Sequence, residues 1–168
     1  MKWFKRSDMK HSHGGAPAGS VKILLVSDYL SEKSIYFFSS GVPKEEMLFK
    51  LVSSLPIPDH SLALNAVLER EKMGGTIVDS AISIPHARLK GLKTIELSVG
   101  IVDDPAAPKD QARLFFLFLS PREDTKIHLH FLSSLSSLFQ AEGFVEALLS
   151  LKAPHEVVQK IRQIEKGI

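Results

Sequence analysis

Strands interleaved with amphipathic helices predict an α/β (α+β) sandwich, with helices packed on a small mixed β-sheet. Leu114-Phe115-Phe116-Leu117-Phe118-Leu119 is a continuous apolar run of strand length, closed by Ser120-Pro121, and reads as a fully buried strand. Thr94 to Val102 alternates apolar and small or polar residues, the period of a strand with one buried face. Met47, Leu48, Leu51, Val52 and Leu55 fall at helical spacing, with Lys44, Glu45, Glu46 and Lys50 on the other side.

Composition narrows the function classes. The chain has 168 residues, enough for one domain in which about 70% of the unfolded surface is buried without a disulfide or metal staple. It contains no cysteine, which excludes thiol catalysis and cysteine-ligated zinc and fits a reducing compartment. A net charge of +2 offers no electrostatic case for nucleic acid. The apolar runs are too short to cross a bilayer, and the N-terminus lacks the apolar segment of a signal peptide. A cytoplasmic protein without stable membrane insertion is expected.

Residues 1–20 read as a flexible basic tail and linker, and residues 21–168 as the folded domain. Lys2, Lys5, Arg6 and Lys10 surround Trp3 and Phe4, and Gly14 to Gly19 has linker composition. His11 and His13 provide only two ligands on that segment and do not define a metal site. Ser34 to Ser39, rich in aromatic and branched residues, predicts a strand. Gly41 and Pro43 punctuate, and the helix Lys44 to Leu55 ends at Pro56-Ile57-Pro58. Asp59 is placed to N-cap a second helix running to about Lys72, which Gly74 and Gly75 stop. Ile82 and Ile84 alternate with Ser83, a half-buried strand that Pro85 is expected to end, leaving His86 just beyond it. After the strand Thr94 to Val102, Asp103 to Gln111 is a charged, proline-containing loop. Asp124 or Thr125 caps a helix to about Gln140. Further helices are expected near Glu142 to Leu151 and His155 to Lys166, the last opened by Pro154.

The histidines sort by position. His86 leaves a strand end, where a rigid scaffold can present a side chain for chemistry, although a surface turn histidine reads the same way. His128 precedes Leu132, Leu135 and Phe139 by four, seven and eleven residues, so it begins the apolar seam of its helix, whereas His130 leads to Ser133, Ser134 and Ser137. His128 therefore faces inward, as a core residue or as part of a site. It lies in the first helical turn, where amides favour an anion. If the two strands are neighbours, His86 and His128 converge. Arg70, near the end of its helix, could present a guanidinium fork to a phosphoryl group or simply complement the helix dipole. Residue types and spacing leave these alternatives open.

A family resemblance bears on the choice. Arg70-Glu71-Lys72-Met73-Gly74, then Thr76, then Ile82-Ser83-Ile84-Pro85-His86-Ala87-Arg88 resembles the REKMGST…AIPHGK/R signature of enzyme IIA domains of the bacterial phosphotransferase system, mannitol/fructose type. Asp124-Thr125-Lys126-Ile127-His128-Leu129-His130-Phe131-Leu132-Ser133 is similar to the family's second block, TKxHLHxLS. The similarity runs from about Val21 to Lys166, and its wording is nearest the nitrogen-regulatory branch. The resemblance implies the phosphotransferase enzyme IIA sandwich and a phosphocarrier whose His86 accepts a phosphoryl group from phospho-HPr or its nitrogen-branch counterpart. It implies that His128 orients His86 or stabilises the phosphoryl group, and that Arg70 binds the phosphoryl group or the donor. A regulatory protein or enzyme IIB would be the downstream partner. No cofactor and no metal are called for. Rival readings are a sugar-specific enzyme IIA that passes phosphate to enzyme IIB, and a divergent, non-phosphorylated interaction domain. The family's glycine-rich approach, TGIGNGIAIPH, here reads Thr76 to His86 with Ile77, Asp79 and Ala81 in place of glycines, so this turn is expected to take its own path.

Overall fold

The computed structural model describes residues 24–79, 81–108 and 111–168. The tail with His11 and His13, the start of the domain at Val21 and the tip of the loop at residues 109–110 lie outside them. After a 3-10 turn at Val26–Tyr29, the elements run β1 (Leu30–Phe38), α1 (Lys44–Ser53), α2 (His60–Lys72), β2 (Ile77–Asp79), β3 (Ile82–Ser83), β4 (His86–Leu89), β5 (Glu96–Val102), β6 (Leu114–Pro121), α3 (Thr125–Phe139), α4 (Phe144–Leu149) and α5 (Pro154–Glu165).

One mixed sheet joins the strands in the order β1-β5-β6-β3-β2, with β4 also on β6. β5 runs parallel to β1 and antiparallel to β6, and β3 and β4 lie one after the other along the far edge of β6, both parallel to it. Both faces of the sheet are covered, which is why β6 is apolar at every position from Leu114 to Leu119. Leu114, Phe116 and Phe118 enter the core with Phe131, Leu135, Phe144 and Ile161 of α3, α4 and α5. Phe115, Leu117 and Leu119 enter a second core with Leu48, Leu51, Ala63 and Val67 of α1 and α2. Among the described residues no helix is long and apolar enough to cross a membrane.

The expected helices are present, with Asp59 and Asp124 as N-caps that accept from the amides of Leu62 and Ile127. α4 is shorter than expected because Gly143, at φ +69°, turns the chain immediately before it. β1 starts earlier than its aromatic stretch, at Leu30, and shifts register before Ile35.

The structure corrects the strand readings that assumed a solvent face. In β5, Ser98 is as buried as Leu97. Gly100 lies under α1, where an added Cβ would sit 3.0 Å from Phe38 Cε2 and 3.2 Å from Leu51 Cδ1. The small residues of its alternation allow close packing and do not face water. Ser83 is likewise fully buried between Ile82 and Ile84. Pro85 does not end the pairing. It lacks an N–H, but its carbonyl accepts from the Phe118 amide and the ladder resumes at His86. His86 therefore opens a strand instead of trailing one, and β6 continues through Ser120 to Pro121 for the same reason.

Candidate functional site

The parallel register of β4 on β6 sets His86 opposite Phe118 and Arg88 opposite Ser120. With a strand period of two, His86 and Arg88 share one face, the face that Phe118 presents to α3. The His86 ring stacks on the Phe118 ring, with centroids 5.2 Å apart and planes 10° from parallel. The turn from Pro121 to Asp124 then folds α3 back over the end of β6. Its first turn carries His128 inward, leaving His128 8% exposed with its ring 5.6 Å from that of His86. His130 points to solvent. The neighbouring strands thus bring His86 and His128 together.

Hydrogen bonds give the two rings distinct roles. Nδ1–H of His86 donates to the Ile84 carbonyl at 2.8 Å, so the neutral ring presents an unprotonated Nε2. Nδ1 of His128 pairs with the Ser120 hydroxyl at 2.7 Å, leaving its Nε2 as the uncommitted nitrogen. Burial pushes the His86 pKa below its ordinary value. The Ile84 carbonyl and Glu71 oppose that shift, and the Arg70 charge adds to it. Burial, then the nearby His86 and Arg88, push His128 down to about 4. Both imidazoles are therefore neutral at neutral pH, the state in which an imidazole is a nucleophile.

Cations border the pair. Arg70 donates from Nη1 to the Gly74 carbonyl at 3.2 Å, closing the end of α2, while its charge reaches His86. Its dipole-complementing role and its place near His86 thus coexist. Arg88 Nη2 donates to the Arg122 carbonyl at 2.6 Å and to Thr125 Oγ1 at 2.8 Å, tying β4 to the start of α3. Asp124 already takes the Ile127 amide, so that helix start is not an open row of amides. Glu71 accepts from Lys44 Nζ and Thr76 Oγ1. The Thr76 hydroxyl has spent its proton on Glu71, so the Ser83 hydroxyl donates to it at 3.1 Å. This chain of bonds fastens the segment leading to His86 onto α2.

The stretch with altered glycines folds as the β2–β3 hairpin. Among the described residues no non-glycine residue has a positive φ. Ile77 and Val78 stand exposed on the hairpin, beyond the exposed Met73. Among those same residues, no three His, Asp or Glu side chains converge as metal ligands.

Sequence reasoning missed Ser120, Arg88 and Phe118 as neighbours of the histidines. Arg88 was findable as the residue two positions after His86 on one strand. Phe118 and Ser120 depended on the β4–β6 register, which the sequence does not contain.

Comparison with known proteins sets this geometry in context. The family model described as phosphoenolpyruvate-dependent sugar phosphotransferase system, EIIA 2, matches residues 29–164. A nitrogen regulatory protein of Escherichia coli (strain K12) is 30% identical over 126 residues, covering 69% of this chain and 77% of that protein. A fructose-specific EIIA component of the phosphotransferase system from Haloferax volcanii is 30% identical over 124 residues, covering 71% of this chain and 80% of the relative. Among solved structures, the nitrogen regulatory protein IIA-Ntr from Neisseria meningitidis superposes with a TM-score of 0.69 at 24% identity, over 82% of this chain and 99% of that one, a likeness of fold.

Proposed function

The chain belongs to the phosphoenolpyruvate-dependent sugar phosphotransferase system EIIA 2 family, and from that premise we propose that it is a phosphocarrier of the nitrogen-regulatory kind, with His86 as the phosphoryl acceptor. The observation that carries this reading is the pairing of His86 Nδ1–H with the Ile84 carbonyl, with the His128 ring 5.6 Å away. The Nε2 lone pair of His86 attacks phosphorus on the phosphohistidine of an HPr-type donor. The N–P bond of the donor breaks as the new one forms, its electron pair returning to the donor's ring nitrogen, and the proton of His86 stays on Nδ1, still donated to the Ile84 carbonyl. Transfer of this type needs in-line positioning and donors to the equatorial oxygens, with little further covalent chemistry. His128 supplies one such donor, and Arg70 supplies charge for the phosphoryl group or the donor protein.

The phosphoryl group adds nearly two negative charges beside the exposed hairpin, enough to alter the binding of a regulatory partner. The reaction sets the protein in the cytoplasm with its donors. Incubation with phosphoenolpyruvate, enzyme I and either the sugar-branch or the nitrogen-branch HPr is expected to add one acid-labile phosphoryl group, and His86→Ala is expected to abolish it. No mass gain with either donor overturns the proposal. The likeness to a fructose-specific EIIA component supports a second reading, onward transfer to an enzyme IIB. Adding a fructose-type IIB to the same assay tests it, with loss of label from His86 as its mark.

A further inference from the structure

Ser120 is the polar side chain at the end of an otherwise apolar strand. It is wholly buried. A buried hydroxyl costs stability unless it is bonded, and the bond this one makes is to His128 Nδ1 at 2.7 Å. The register that sets Arg88 opposite Ser120 also places the Arg88 charge beside His128, which disfavours a second proton on that ring. His128 is thus a neutral imidazole with one proton, on either Nδ1 or Nε2.

The hydroxyl also has one proton, and the two arrangements differ in what they leave unmet. With the imidazole proton on Nδ1, Ser120 accepts it, and the hydroxyl proton is then a buried donor in need of another acceptor. His128 would also present a bare lone pair at Nε2 to the site. With the proton on Nε2, the hydroxyl donates to Nδ1 and both groups are matched. A buried donor left without a partner is the costlier error, because a donor has a single proton to place while an oxygen has lone pairs to spare.

We propose that Ser120 is a positioning residue of this site: its hydroxyl donates to His128 Nδ1 and holds that ring in the Nε2–H tautomer, ready to donate to a phosphoryl oxygen on His86. The inference rests on the function proposed above and names the group that prepares His128 for it. It gives the buried serine a use that packing alone does not, since an alanine or valine would fill a buried strand position without a polar atom to satisfy.

The test is nitrogen-15 NMR of the imidazoles in the unphosphorylated protein, together with transfer rates from the phosphorylated donor. The wild type is expected to show His128 with an unprotonated Nδ1 and a protonated Nε2. Ser120→Ala removes one atom and is expected to keep the fold, to mix the tautomers of His128 and to slow transfer roughly fivefold to tenfold, the worth of one neutral hydrogen bond. In a His128→Ala background the same substitution is expected to add nothing. Ser120→Thr, which retains the hydroxyl, is expected to restore the tautomer. A wild-type proton on Nδ1 overturns the proposal, as does a Ser120→Ala chain with unchanged tautomer and rate. Tautomer and transfer are read separately, so the two proposals fail differently. The expected tautomer in a chain that accepts no phosphoryl group overturns the phosphocarrier reading, and the positioning role with it, while upholding the direction of the bond.

Discussion

A histidine that accepts a phosphoryl group must be neutral when the donor arrives, and the surroundings of His86 and His128 hold both rings in that state. An unfolded imidazole takes up its proton near pH 6.5. Folded His128 does so only at about 4, and folded His86 also lies below the ordinary value. The sign follows from proton counts. Well above pH 6.5 neither the folded nor the unfolded rings bind a proton, and these groups add no pH dependence to stability. Between 6.5 and about 4 the unfolded chain binds more protons than the folded one, so stability falls as pH falls through that window. Urea midpoints measured at several pH values are expected to drop across it, and His128→Phe is expected to flatten the drop. A wild-type midpoint that rises on acidification there contradicts the assignment of a buried, neutral His128. If His86 is the acceptor proposed above, the same lowering is expected to keep more of it neutral, and so reactive, on acidification than a free imidazole of ordinary pKa.

At the scale of elements, α3 does two jobs that α2 separates. Both helices begin with an aspartate whose carboxylate takes an amide of the first turn, Asp59 with Leu62 and Asp124 with Ile127. Removing either cap is expected to cost about 1 kcal/mol in urea unfolding. The first turn of α3 also carries His128, and Arg88 bonds to Thr125 within it. Asp124→Ala is therefore expected to slow phosphoryl transfer several-fold, while Asp59→Ala leaves the rate unchanged at the same loss of stability. Equal rates would separate the cap from the site. These caps were legible because an N-cap is a local event, an acid just before an apolar period. The buried strand at β6 was legible for a similar reason, since only a strand covered on both faces is apolar throughout. β5 misled because Ser98 and Gly100 have the composition of a solvent face, when Ser98 is buried and Gly100 responds to the closeness of α1. His86, His128 and Arg70 were singled out by motif, yet the convergence of the two histidines depends on β4 pairing with β6. Ser120 and Phe118 enter only through that register, a long-range property with no local signature.

For the molecule as a whole, both ends of the described chain meet on one face of the sheet, and a single carboxylate joins them. Glu165, in the last turn of α5, accepts from the amides of Val26 and Ser27 and from the Ser27 hydroxyl. Those groups open the 3-10 turn before β1, so the acid satisfies donors that the turn itself leaves free, at the end where a negative charge is favoured. The turn and α5 both border the core that contains Phe116 and Phe118, through Val26 on one side and Val157 and Ile161 on the other. The clasp thus closes that core at the strand β1 edge, away from His86 on β4. Three charge-assisted bonds at a half-exposed position place the expected cost of Glu165→Ala at about 2 kcal/mol, and of Glu165→Gln, which keeps an accepting oxygen, at about half of that. Hydrogen exchange separates a local clasp from a global prop. In the alanine variant the amides of Val26 and Ser27 are expected to lose protection, while those of β4 and α3 change only by the shift in global stability and phosphoryl transfer to His86 keeps its rate. A fall in transfer beyond that shift would mean that the two edges of the sheet are coupled through β5 and β6, instead of the clasp acting only on the core it closes.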